Sequence, residues 1–208
     1  MGIVIYDSFT DVDGTLLENH VPEVGGKWRK VSTGTAKIAS NMAVWNAGIV
    51  AVYDILTPML GPEYDISCAV DAIADDSAAT FHLYGRFEVF SNTWYEFSYD
   101  GTLQTWNIYR RVNGVNTLLA TVVQALGTDQ RRITISIRDA KKAIFLDGVE
   151  LLTTVDNTIP DAYYVAFRLD NLTTVALDDF TVVSASELLY PVELSQSLNV
   201  LPPRVASY

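Results

Sequence analysis

Ile3-Val4-Ile5-Tyr6-Asp7-Ser8-Phe9-Thr10-Asp11-Val12-Asp13-Gly14-Thr15-Leu16-Leu17-Glu18-Asn19-His20 opens the chain, and two folds compete for it. An apolar run that ends on Asp-x-Asp-Gly-Thr suits the carboxyl edge of a parallel strand in an α/β enzyme. Two carboxylates at such an edge are placed to divide nucleophilic and acid–base work beside a metal. Such a strand is covered on both faces and reads as near-continuous hydrophobic sequence. Asp7, Ser8 and Thr10 interrupt it here, and a charged Asp7 is costly to bury in such a strand. The same letters also spell one short antiparallel strand followed by a tight polar turn, with Asp11, Asp13 and Gly14 supplying the turn chemistry.

The rest of the chain decides between the two. Its period is two almost throughout. Arg132-Ile133-Thr134-Ile135-Ser136-Ile137-Arg138 alternates cleanly, with the isoleucines on one face. In Thr80–Phe87, Phe81, Leu83 and Phe87 share a face; in Tyr163–Leu169, Tyr163, Val165, Phe167 and Leu169 do. Trp94–Tyr99 and Thr105–Arg110 are rich in aromatic residues, which suit a pleated surface. Asp100-Gly101, Asn113-Gly114 and Asp147-Gly148 are hairpin dipeptides, because Asn, Asp and Gly tolerate positive φ. Helical candidates are confined to single turns at Gly127–Gln130 and Ser184–Leu189. Strands without helical spacers make antiparallel sheets, and two sheets packed face to face are their natural arrangement. The 208 residues suit one large sandwich.

Composition narrows the function. Lys plus Arg number 14 against 25 Asp plus Glu, a formal charge of −11. That field repels a phosphate backbone, so nucleic acid is not an expected partner. Cys68 is the sole cysteine, which rules out an internal disulfide and a thiolate metal cluster; it shares a face with Ile66 and Val70 and reads as a small buried hydrophobe. No apolar run approaches a membrane-spanning length, and Met1–Asp7 lacks the basic start of a secretory leader. The composition changes near Ser184. Residues 186–208 hold three prolines and scattered apolar side chains, which read as an extended arm following a domain over 1–185. Tyr190, Leu194, Leu198, Leu201 and Tyr208 are its candidate anchoring residues.

Taken as far as Trp28, through His20, Pro22 and Gly25-Gly26-Lys27-Trp28, the opening stretch resembles the start of the concanavalin A-like (laminin G-like) jelly-roll domains of tailed-phage structural proteins. Ala36–Asn41, Tyr64-Asp65-Ile66, Tyr95-Glu96-Phe97, Ile144–Glu150 and Leu177–Val182 continue that resemblance in order. It implies an all-β, two-sheet antiparallel sandwich and a non-enzymatic virion protein. That protein would decorate the capsid or attach to head or tail, anchored by its arm. Its expected partners are the major capsid protein, other virion proteins and further copies of itself. Its expected location is the particle, after synthesis in the host cytoplasm. In this family the first and last strands lie side by side, which would bring Tyr6-Asp7-Ser8-Phe9 next to Leu177-Asp178-Asp179-Phe180. Asp7, Asp178 and Asp179 are therefore candidate ligands for a structural Ca²⁺, a cation that takes several oxygens.

Two alternatives accompany this reading. Tyr84, Trp94, Tyr95 and Trp106 could form a sugar-stacking platform, making the chain a lectin-like module for a surface polysaccharide. The paired-carboxylate spelling Glu-x-Asp-x-x-Glu of related glycosidases is absent, so no hydrolase is expected. The remote alternative rests on Asp11-Val12-Asp13-Gly14-Thr15, which resembles the first motif of haloacid-dehalogenase-like phosphatases. That fold needs helices on both faces of its sheet, and the chain offers none of length.

Overall fold

The computed structural model describes residues 2–56, 61, 63–72, 79–159, 164–170 and 175–184. Among them the alternating runs become fifteen strands. In chain order these are β1 (Gly2–Asp7), β2 (Trp28–Lys30), β3 (Thr35–Ala39), β4 (Met42–Ala47), β5 (Val50–Leu56), β6 (Tyr64–Ala72), β7 (Thr80–Glu88), β8 (Thr93–Asp100), β9 (Thr105–Val112), β10 (Val115–Val123), β11 (Arg131–Arg138), β12 (Lys141–Leu146), β13 (Val149–Val155), β14 (Tyr164–Asp170) and β15 (Val175–Ser184). One sheet runs β13-β12-β11-β6-β15-β4-β3, with β1 also paired to β15; the other runs β10-β9-β8-β7-β14-β5-β2. Every pairing in both sheets is antiparallel.

Strand parity builds the core. Phe81, Leu83, Tyr95, Phe97, Trp106 and Phe167 of the seven-stranded sheet are buried against Ile5, Ile66, Val70, Ile135, Phe180 and Val182 of the other. Each large side chain removed from water contributes about 1.5–3 kcal/mol, which drives the two faces together. Cys68 is buried in the same cluster, and burial pushes its thiol up to about 12. Trp28 joins the sheets, with its ring 5.0 Å from Phe167 and 5.2 Å from Phe180.

The turns follow their chemistry, with differences of detail. Asn113-Gly114 and Asp147-Gly148 both adopt positive φ and close two-residue hairpins. Asp100-Gly101 does not: Asp100 ends β8, and the link to β9 is longer, with Gln104 at φ 52°. Ser40-Asn41 turns β3 into β4 with no glycine, at φ 53° and 58°. The expected turn at Gly127–Gln130 is a bend, whereas Leu17–Asn19 forms a 3-10 turn that strand periodicity does not announce. Tyr190, Leu194, Leu198, Leu201 and Tyr208, with the rest of residues 186–208, lie outside the described residues.

Candidate functional site

The acidic residues of the opening stretch hold the fold together. β1 ends at Asp7, which pairs in register with Phe180 of β15, so the first and last strands are neighbours. Asp7 is fully buried. Its Oδ2 accepts a 2.5 Å hydrogen bond from Trp28 Nε1, and its Oδ1 accepts one of 2.7 Å from the Phe9 backbone N–H. The same Oδ1 lies 2.8 Å from His20 Nε2, and His20 Nδ1 lies 3.1 Å from Asp11 Oδ2. An imidazole with a carboxylate at each nitrogen donates twice only when protonated. Burial opposes that charge, but Asp11 and Asp7 outweigh it, and the His20 pKa is raised. The bond from His20 lowers that of Asp11. Asp13 Oδ1 accepts from the Ser40 backbone N–H at 2.8 Å. The Asp-x-Asp-Gly-Thr spelling is thus a loop of an all-β sandwich, not the strand end that a phosphatase requires.

The side chains of Asp178 and Asp179 do not share the partners of Asp7. A bulge in β15 falls between Asp178 and Thr181. Asp178 Oδ1 accepts from the Asp179 backbone N–H at 2.7 Å, and Asp179 bonds Tyr6 Oη at 3.2 Å and Arg132 Nη2 at 3.3 Å. Both oxygens of Asp7 are engaged by Trp28, Phe9 and His20. Among the described residues, no three His, Cys, Asp or Glu side chains assemble as a metal cluster. Adjacent strands brought the backbones together, but the carboxylates face separate donors.

A different set converges on the outer face of the seven-stranded sheet. Inward Phe81, Leu83, Tyr95 and Phe97 force His82, Tyr84, Trp94 and Glu96 outward. Register sets Glu96 between Tyr84 on β7 and Tyr109 on β9, and His82 between Ser98 on β8 and Arg168 on β14. His82 Nδ1 is 2.9 Å from Glu96 Oε1, and its Nε2 is 3.5 Å from Asp170 Oδ2. Arg168 donates to both oxygens of Asp170, at 2.5 and 3.0 Å. Trp94 Nε1 donates to Glu96 Oε2 at 3.4 Å, and the His82 ring stacks on Tyr84 at 6.1 Å and 11°. Thr121 Oγ1 donates to Asn107 Oδ1 at 2.7 Å.

Two depressions follow from this layout. One, of about 300 Å³, is walled by His82, Glu96, Ser98, Asn107, Tyr109 and Asp170 among others. The second, of about 250 Å³, has Val31, Val52, Tyr84, Phe87, Trp94, Arg111 and Arg168 in its walls. Phe87 does not share the inward face of Phe81 and Leu83 as alternation implies, because Arg86 at φ 48° and a register shift between Gly85 and Glu88 break the period. Glu96 and Trp94, Tyr109 and Arg111, and Asp170 and Arg168 are each two residues apart on one strand. The two depressions are therefore neighbours along the strands and form a two-part groove. Burial opposes the charge on His82, but Asp170 and Glu96 outweigh it and raise its pKa. Burial also opposes both carboxylates; bonds from His82 nonetheless lower Glu96, and His82 with Arg168 holds Asp170 at about 2.

The four aromatic residues of the expected sugar platform divide between two faces. Tyr84 and Trp94 line the groove with ring centroids 5.6 Å apart, Tyr84 buried at its floor and Trp94 half-buried. Tyr95 and Trp106 point into the core, where Tyr95 Oη donates to Asp156 Oδ1 at 2.6 Å and Trp106 Nε1 to the Gln124 carbonyl at 2.9 Å. Trp94 and Tyr95 are consecutive on a strand and cannot share a face. His82, Asn107, Arg111, Arg168 and Asp170 were not singled out from sequence. The parity of Phe81 and Leu83 already marks His82 as outward.

No family model matches the chain, and no curated protein matches it. Solved structures do. A carbohydrate-binding module, CBM66, from Bacillus subtilis superposes with a TM-score of 0.64 at 12% identity, over 77% of this chain and 97% of that one. A Bacillus subtilis protein of unknown function with a galectin-like fold gives 0.60 at 12% identity, over 86% and 97%. The exoplasmic/lumenal domain of VIP36, in a Ca²⁺- and mannose-bound form, gives 0.59 at 9% identity, over 80% and 84%. At such identities the similarity is one of architecture: the chain has the galectin-like, concanavalin A-like jelly-roll sandwich fold.

Proposed function

We propose that the protein is a carbohydrate-binding module that holds a glycan in the groove on the outer face of the seven-stranded sheet. One observation carries this reading: a groove walled by His82, Glu96, Asn107 and Asp170 at one end and by Tyr84 and Trp94 at the other. Carboxylate and amide oxygens accept from sugar hydroxyls, and an apolar aromatic wall covers the C–H face of a ring. The fold supports it as analogy, since CBM66 is by its own description a carbohydrate-binding module and the VIP36 domain is described in a mannose-bound form.

Binding without hydrolysis fits the electrostatics. A glycosidase needs one carboxyl group kept protonated to serve the leaving oxygen. Glu96 and Asp170 are both held below their ordinary range by His82, so neither is a general acid near neutral pH. The test is a glycan array with wild-type protein and with Glu96→Gln and Asn107→Ala, thermal midpoints serving as the folding control. Binding weakened about tenfold or more in well-folded variants is expected, from lost hydrogen bonds to the ligand. No binding of the wild type to any glycan removes the reading, and release of new reducing ends would make the protein an enzyme. The Asp7–Trp28 resemblance supports, as part of the same proposal, a place on a tailed-phage particle beside the major capsid protein and other virion proteins. Antibody labelling of purified particles checks that placement.

A further inference from the structure

The groove is electrically lopsided. Its His82 end includes the carboxylates of Glu96, Asp100 and Asp170 in its walls. Its Trp94 end includes the guanidinium groups of Arg111 and Arg168 and, among the described residues, no carboxylate. The two arginines differ in what they face. Arg168 is engaged by Asp170 through two hydrogen bonds. Arg111 is held by neutral acceptors: Nε donates to Asn92 Oδ1 at 2.9 Å and Nη1 to Asn116 Oδ1 at 3.3 Å. Its guanidinium carbon lies 4.9 Å from the centroid of the Trp94 ring. Elsewhere Arg29, Arg110, Arg131, Arg132 and Arg138 each face an aspartate. In a chain with a formal charge of −11, a guanidinium held over an aromatic face by two amides has kept its charge available.

From this geometry we infer that the Trp94 end of the groove receives an anionic group, and that the glycan is an acidic oligosaccharide. A carboxylate or sulfate on one sugar meets Arg111, while the neighbouring ring lays its hydroxyls on His82, Glu96 and Asn107. The inference rests on the glycan-binding reading and adds its ligand class and direction. Asn92, Asn116 and Trp94 fix the guanidinium plane in advance, which reduces the ordering needed when its planar donor edge meets an oxyanion. The overall negative charge does not forbid this. At physiological salt the screening length is about 8 Å, so contact partners outweigh distant carboxylates.

The experiment uses an array of identical sugar backbones in neutral, uronate and sulfated forms, probed with full-length wild type, Arg111→Gln and Arg111→Lys. Thermal midpoints again serve as the folding control. Acidic members should bind more tightly than their neutral counterparts, by about tenfold for a well-placed charged contact. Arg111→Gln should erase that preference, with acidic members weakened more than their neutral counterparts, and Arg111→Lys should fall in between. Added salt should weaken the acidic members alone. Equal binding of neutral and acidic members, or a preference that survives in Arg111→Gln, overturns the inference while the glycan reading stands. Failure of the wild type to bind any member overturns both.

Discussion

Asp7 shows how one residue can be misread and then explained. Its carboxylate is fully buried, and three donors converge on it: Trp28, His20 and the Phe9 backbone. Removing its charge leaves the His20 imidazole and two N–H donors facing a weaker acceptor. Breaking a buried pair by taking away one partner costs about 3–5 kcal/mol. Asp7→Asn should therefore lower unfolding free energy on that scale, measured by denaturant titration; a change near zero would mean that Asp7 does not hold the loop. His20 gives a pH signature. Its folded pKa is raised, while the unfolded value is about 6.5. The folded state thus binds the extra proton, so the contribution is complete below about pH 6.5 and is lost as pH rises through the folded pKa. His82 is also raised and acts with the same sign. Lys142, with its pKa pushed down to about 8 by burial and Arg86, acts oppositely above that pH. Unfolding free energy should consequently fall as pH rises above about 6.5, less steeply in His20→Gln, with Lys142 opposing the fall above about 8. An identical slope in the variant would assign the effect elsewhere.

At the level of elements, alternation was easy to read and turn geometry less so. Asn-Gly and Asp-Gly announced two hairpins because both residues accept positive φ. Ser40-Asn41 gave a weaker signal, and the β15 bulge gave none. Gly34 illustrates a constraint that only packing reveals. It precedes β3, and its N–H donates to the Val50 carbonyl at 3.0 Å. A Cβ built there would stand 2.2 Å from Val50 O and 2.5 Å from Val50 C. Backbone atoms in a sheet cannot swing aside as a side-chain tip does. Gly34→Ala should then lose about 1–3 kcal/mol of stability, the usual range for overpacking, in the same titration. β10 is an edge strand without a charged residue, and Leu118 on it is 50% exposed. Placing a lysine on an edge discourages sheet-to-sheet pairing. Leu118→Lys should raise the concentration at which light scattering appears, with the fold unchanged by circular dichroism.

For the whole molecule, closure of the sandwich sets two expectations. β15 lies between β6 and β1 and ends at Ser184, so a chain ending at residue 185 contains every described strand. Its thermal midpoint should match that of the full chain; a large fall would place core contacts beyond residue 185. Chelation should likewise leave the midpoint unchanged, because the Asp7 oxygens already bond Trp28, Phe9 and His20. A fall on chelation that is restored by Ca²⁺ would return Asp7, Asp178 and Asp179 to consideration as ligands. The sequence alone determined the fold class and much of the site's vocabulary. Alternation specifies which side of its own strand each residue takes, and it needs no knowledge of neighbours. That sufficed for two antiparallel layers, for the inward isoleucines of β11, and for placing Tyr84 and His82 on one face. Only the tertiary structure decided which strands are neighbours. His82 meets Asp170 because β7 pairs with β14, two segments far apart in the chain, and it meets Glu96 because of the β7–β8 register. Parity is a local property of the chain, whereas strand order is set by how the two apolar faces close on each other. The groove, with its carboxylates at one end and Arg111 at the other, belongs to that second kind of information.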